Sequence, residues 1–315
     1  MRQTVFNLAE VLLPIVIALG GGVIVGQACG RRVRAAASKM IVPCVLVLMF
    51  LVGIEAGPVL ANMPLLGWLV RSAFTLALLS TIASVVLCAL AFRTAFRVGS
   101  ISNDGNVFSR AVRVTFDCLA PLAVVAVGVL ASRNVFFAID GEGIATATYW
   151  FLLFLILLVG VDLSMVKLGR ESLTWKIMLV PALVLIGSAL GGVAASFVVD
   201  EPMRITLALS SGFGWFSMSG PLVSTFLGSS YGSMALLTDL FRELMALVLL
   251  YAMGRRMPVA AVASGGAASM DSVLPIIRVT CPPSIVPMAV VTGLVLTIAG
   301  PMLISFLLLP FTIGN

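Results

Sequence analysis

The sequence predicts an all-α polytopic membrane protein with eight transmembrane helices plus two re-entrant hairpins, arranged as inverted repeats. Three observations carry that expectation. Apolar residues make up 61% of the 315 and charged residues only 10%, where a soluble domain carries about 25% charge. Eight apolar runs are long enough to cross a bilayer, and two further stretches are apolar but broken by Gly, Ser and Pro. The basic residues gather in alternate loops, the pattern that sets orientation in a membrane.

Taken in order, the spanning runs cover 9–28, 40–61, 66–92, 115–132, 147–168 and 177–199, then 231–253 and 284–309. The first is read as a retained span, because no basic leader and cleavage site precede it. The loop after span one holds Arg31, Arg32, Arg34 and Lys39; the loop after span three holds Arg93, Arg97, Arg110 and Arg113; the loop after span five holds Lys167, Arg170 and Lys176. All fall inside if the N-terminus is outside. The opposite loops carry little: Asp140 and Glu142 near Arg133, then Asp200 and Glu201 near Arg204. The broken stretches 203–230 and 256–283 read as hairpins rather than full spans, because only then do Arg255 and Arg256 also lie inside. Both termini are then outside.

Repetition supports the inversion. Leu51-Val-Gly-Ile-Glu55 recurs as Leu158-Val-Gly-Val-Asp162, 107 residues later, and Pro14 and Pro121 share the offset. Three spans per unit is an odd number, so the copies run in opposite directions through the bilayer. A shorter repeat matches Ser217-Met218-Ser219 to Ser269-Met270-Asp271, 52 residues on, each ahead of a strong span. Chance likeness among apolar segments is the alternative reading of both.

The sequence contains no histidine, which removes His bases, Ser-His triads and most zinc sites. The five cysteines (Cys29, Cys44, Cys88, Cys118 and Cys281) show no metal or CxxC spacing and read as packing residues. The net charge of +6 is loop charge and not a nucleic-acid footprint.

The chemistry is expected from acids kept at membrane depth, where an unpartnered charge costs roughly 2.5–3.5 kcal/mol. Asp239, Arg242 and Glu243 share one sector of the helix over 231–253. Asp239 with Arg242 forms an internal ion pair on this reading, which leaves Glu243 as the unbalanced carboxylate. The alternative is a closed cluster that only fixes packing. Asp271 sits at the second break with no cation nearby in sequence, and either serves the site or caps the helix after it. Glu55 and Asp162 are read first as interfacial acids and second as site residues. Asp117 is read as a helix N-terminal residue. Ser217, Ser219 and Ser269, with Gly212, Gly214, Gly265 and Gly266, allow close backbone approach. Half-helix N–H groups there favour a carboxylate, while Glu243 and Asp271 favour a cation. The small residues equally permit tight helix packing. Trp215 is read as a packing anchor.

Three elements in order, Ser211-Gly-Phe-Gly-Trp-Phe-Ser-Met-Ser-Gly220, Asp239-Leu-Phe-Arg-Glu-Leu244 and Ala268-Ser-Met-Asp-Ser-Val-Leu-Pro275, resemble the LysO-type bacterial lysine exporters. The likeness is strong over 204–309 and weaker over the first 200 residues. It implies an inner-membrane exporter of L-lysine, or of a closely related cationic amino acid, driven by the proton gradient with no cofactor. By motif, the family's two intramembrane acids fall on Glu243 and Asp271. This chain departs at Thr238, where the family has Asn, and at Glu55 and Asp162, where it has uncharged residues. The order of spans also resembles the glutamate-transporter architecture. That likeness implies a scaffold over 1–200 and a transport domain over 201–315, made of hairpin 203–230, helix 231–253, hairpin 256–283 and helix 284–309. The expected partners are the amino acid, protons and the bilayer, with self-association left open and no nucleic acid. The rivals are a transporter of another amino acid or an organic acid, and a passive channel. An intramembrane enzyme is disfavoured by the absent histidine and the absent Gly-x-Gly-Asp motif.

Overall fold

The computed structural model of the protein describes residues 2–60, 63–92, 123–132, 141–164, 175–270 and 272–312. The described residues form helices joined by short turns and contain no strand. Before the first break come α1 (Arg2–Ala28), α2 (Arg31–Leu60), α3 (Met63–Ala91), α4 (Ala123–Ser132), α5 (Gly141–Leu163) and α6 (Trp175–Val199). Then follow α7 (Met203–Ser210), α8 (Phe216–Leu227), α9 (Ser229–Met253), α10 (Pro258–Gly265), α11 (Leu274–Thr280) and α12 (Val286–Thr312). Short 3₁₀ turns occupy Gly266–Met270 and Pro283–Ile285.

Among the described residues, four stretches are long and apolar enough to cross a bilayer: Arg34–Glu55, Leu66–Ala91, Trp175–Val199 and Pro283–Leu309. α9 has the length, but its centre carries Asp239, Arg242 and Glu243. The predicted start of α9 at residue 231 moves to Ser229, because the chain turns at Gly228 with φ +82°, a conformation suited to glycine. The basic loops at 93–113 and 165–174, with Asp117, lie outside the described residues.

Small residues set the closest helix contacts, as expected where apolar side chains gain nothing by leaving lipid. On α1 and α5, a Cβ at Gly22 would strike the Leu157 carbonyl and Gly160. On α2 and α4, a Cβ at Gly53 would strike the Val125 carbonyl and Gly128. One turn on, Gly26 meets Ser164 and Gly57 meets Ser132. Each of these serines turns its hydroxyl back to the carbonyl three residues earlier, at 2.6 Å. α3 and α6 interlock through Ser80 and Ser84 against Gly191 and Gly187.

The apolar core divides into two large clusters. In one, Ile205, Ala208 and Leu209 of α7 and Met218 and Leu222 of α8 join Met234 of α9 and Ile304 and Leu308 of α12. In the other, the α10 run Val259–Ala263 and Ile276 and Ile277 of α11 join Leu250 of α9 and Met288 and Leu296 of α12. α7 and α8 therefore pack on the first half of α9 and the second half of α12. α10 and α11 pack on the opposite halves.

Candidate functional site: two backbone breaks around a charged helix

The first break runs from Ser211 to Trp215. Its glycines let the backbone leave the helix, and Phe213 and Gly214 take left-handed φ values of 54° and 85°. The second break begins at Gly266, φ 54°. The two meet: the Ala267 N–H donates to the Phe213 carbonyl at 2.8 Å. Gly266 lies so close that a Cβ would strike the same carbonyl. Both breaks also rest on glycines of α12, with Gly293 against Met270 and Gly300 against Met218 and Ser211.

The centre of α9 faces this junction. Asp239 is 1% exposed, and its Oδ1 accepts the Gly214 N–H at 2.7 Å. A backbone N–H freed by the break is thus satisfied by a side chain, as a buried donor requires. Gly212 is shaped around the same carboxylate, because a Cβ there would strike Asp239 Oδ2. The Ser219 hydroxyl lies beside Asp239.

The expected Asp239–Arg242 ion pair does not form as a direct contact. Arg242 instead donates from Nη1 to Ser188 Oγ on α6 at 2.8 Å. Its guanidinium carbon lies 5.8 Å from the centre of the Phe213 ring, within cation–π range. Helix spacing correctly put both residues on one sector, but each found a nearer partner on another element.

Glu243 is buried at 2% exposure. Thr238 is buried and bonds back to the Met234 carbonyl at 2.8 Å. Ser217 is buried at the start of α8. Ser269 donates to the Val262 carbonyl at 3.0 Å, stapling the 3₁₀ turn onto α10. Trp215 packs against both apolar clusters. The structure thus gathers Asp239, Arg242, Gly214 and Ser219 around the first break. Asp271 lies outside the described residues.

Glu55, read first as an interfacial acid, lies at the end of the apolar stretch Arg34–Glu55. It is half-buried, and its Oε2 accepts from Ser224 Oγ of α8 at 3.0 Å. Asp162 is half-buried at the end of α5. Three participants escaped the sequence reading: Ser188, the Phe213 ring and Ser224. Ser188 had a faint signal in the small-residue run Gly187-Ser188…Gly191-Gly192. Phe213 stood inside the first break with nothing to mark its ring as a partner of Arg242, and Ser224 had no signal.

The family model described as lysine exporter LysO matches residues 122–308, more than half of the chain. The chain belongs to the lysine exporter LysO family. The match takes in α4–α6 as well as both breaks, and so reaches further back than the motif likeness. Lysine exporter LysO of Escherichia coli is 37% identical over 178 residues, covering 54% of this chain and 60% of that protein. A putative lysine exporter of Haemophilus influenzae is 32% identical over 147 residues, covering 47% of this chain and 73% of that protein. The aligned region thus spans about 60% of the Escherichia coli protein's length. No solved structure matches this LysO-family chain. Family membership and the apolar helices mark it as a multi-pass membrane protein.

Proposed function

We propose that the protein exports L-lysine, or a closely related cationic amino acid, across the bacterial inner membrane in exchange for protons. The observation that carries this reading is the buried Asp239–Arg242–Glu243 helix centre held against two touching breaks, in a chain of the LysO family. Charges at membrane depth beside interrupted helices mark solute sites. Asp239, Arg242, Gly214 and Ser219 form one wall of the site, with Ser217 and Ser269 shaping the breaks. Glu243 and Asp271 take the side-chain ammonium, and an external proton on either releases it. Thr238, Glu55 and Asp162 act at the periphery.

The same reading makes each broken segment a re-entrant hairpin. α7 has 8 residues and α8 has 12, about 12 and 18 Å at 1.5 Å per residue. A hydrocarbon core is about 30 Å thick, so each arm reaches the middle and no further. The two arms of each segment share one apolar cluster, as arms entering and leaving by one face would. The paired contacts Gly22–Gly160 and Gly53–Gly128 are what an inverted repeat of α1–α3 and α4–α6 produces. With eight spans, both termini lie outside.

We assign α3 and α6 to the moving body with α7–α12, and leave α1, α2, α4 and α5 as scaffold. This revises the division at residue 200. The support is that α3 and α6 pack most extensively on each other, α3 packs next on α9 and α10, and α6 packs next on α7 and α12.

The test is lysine efflux from proteoliposomes with and without an inward proton gradient. Glu243→Gln and Asp271→Asn are expected to leave the protein folded and abolish gradient-driven efflux. Near-normal efflux by either variant overturns the assigned roles. Flux indifferent to the gradient replaces the exporter with a channel.

A further inference from the structure

Arg242 is the largest fully buried side chain among the described residues. Only Nη1 has an acceptor, the Ser188 hydroxyl. Nε and Nη2 are buried and have no hydrogen-bond partner. These two nitrogens form one edge of the planar guanidinium, and their N–H bonds run parallel. That edge matches the two oxygens of a carboxylate. The opposite end of the guanidinium is pinned by Ser188, and its face lies against the Phe213 ring. The orientation of the unfilled edge is therefore fixed by α6 and by the first break.

One turn earlier on α9, Asp239 offers the complement. Its Oδ1 is taken by the Gly214 N–H, while Oδ2 has no close hydrogen-bond partner and the Ser219 hydroxyl lies beside it. Residues three apart on a helix face one another. An unpaired anion acceptor and an unpaired cation acceptor thus lie side by side at the meeting point of the two breaks. Leaving buried polar groups unpaired is costly. A zwitterion satisfies both at once.

We propose that Arg242 is the subsite for the α-carboxylate of the transported molecule, taken in bidentate fashion on its Nε/Nη2 edge, with Asp239 Oδ2 and Ser219 receiving the α-ammonium. This deepens the export reading and rests on it. The site recognises an α-amino acid as such, and its cargo needs a free carboxylate. Amines that keep lysine's two ammonium groups but lack the carboxylate bind more weakly. The side-chain ammonium is left to acids beyond this clamp.

The decisive measurement uses the unaltered full-length protein, purified in detergent, with radiolabelled lysine bound and displaced by unlabelled compounds. Lysinamide and cadaverine are expected to displace lysine roughly 10- to 100-fold less well than lysine itself, the loss of a charged hydrogen-bonded pair. Displacement by either within threefold of lysine overturns the carboxylate subsite while leaving the export reading intact. Absence of saturable lysine binding overturns the export reading and this subsite with it. As a second arm, Arg242→Lys is expected to weaken lysine at least tenfold while leaving cadaverine unchanged. Equal weakening of both would assign Arg242 to packing alone.

Discussion

Gly212→Ala isolates the contact that ties the first break to α9. The backbone at Gly212 is outside the left-handed region, so alanine adds no backbone strain and only the new methyl matters. That methyl would stand 2.6 Å from Asp239 Cγ and 2.9 Å from Oδ1. Ordinary contact begins near 3.4 Å and Oδ2 lies closer still, so the carboxylate must retreat by at least about 0.8 Å. The Gly214 N–H to Oδ1 bond, now 2.7 Å, then stretches to the edge of hydrogen bonding. A hydrogen bond to a charged acceptor is worth about 1.5–3 kcal/mol, and the stranded N–H adds to the loss. Gly212→Ala should therefore destabilise by about 2–4 kcal/mol. The assay is a double-mutant cycle with Asp239→Ala, read as the unfolding midpoint in an SDS titration of mixed micelles. With the carboxylate gone, Gly212→Ala should cost under about 0.5 kcal/mol, giving a coupling of roughly 2 kcal/mol or more. Equal cost in both backgrounds would refute the contact.

Two further outcomes follow from the packing. Ser188→Ala removes the one acceptor of Arg242 and should destabilise by about 1.5–3 kcal/mol in the same titration, with Ser188→Thr close to unaltered. Gly53→Ala and Gly160→Ala each drive a methyl into a carbonyl of the facing helix and should cost about 1–3 kcal/mol by similar amounts. Gly21→Ala, with open space around it, should be neutral or slightly stabilising; a large difference between the first two would argue against equivalent repeats.

The helices were legible because apolar run length is a direct reading of bilayer thickness. The breaks were legible because Gly and Ser interrupt those runs where the backbone must leave the helix. α9 was legible for the opposite reason: its charges are conspicuous in apolar surroundings. What the sequence hid is where each polar atom finds its partner. Asp239 was assigned to Arg242 on helix geometry alone, and no such arithmetic shows that the Gly214 N–H arrives from another element at 2.7 Å. Ser188 looked like one small residue among several until α6 was seen to face α9. Glu55 was read as an interfacial acid, and its acceptor role stayed hidden because it depends on α8 packing over it. The contact between the breaks, Ala267 to Phe213, joins residues 54 apart in the chain, and only the tertiary arrangement of α9 and α12 brings them together.

That contact constrains any motion the protein makes. A broken segment that swung open alone would have to break the Ala267–Phe213 bond, the Gly214–Asp239 bond and the seat of both breaks on the α12 glycines. Each buried bond left unmade costs about 1–3 kcal/mol, and the losses coincide. Sliding the whole body of α3, α6 and α7–α12 keeps all of them. Against the remaining helices the surface is different in kind. Where α2 and α4 face α3 and α9, the walls are largely apolar, Val52, Val125, Val129, Leu66, Val70 and Leu237, with Ser233 bonded back within α9. A polar link across the boundary, Ser224 to Glu55, is a single hydrogen bond on half-buried groups. The stiff contacts thus lie within the proposed moving body and the yielding ones at its edge, which favours translation of an intact site over opening of a single broken segment.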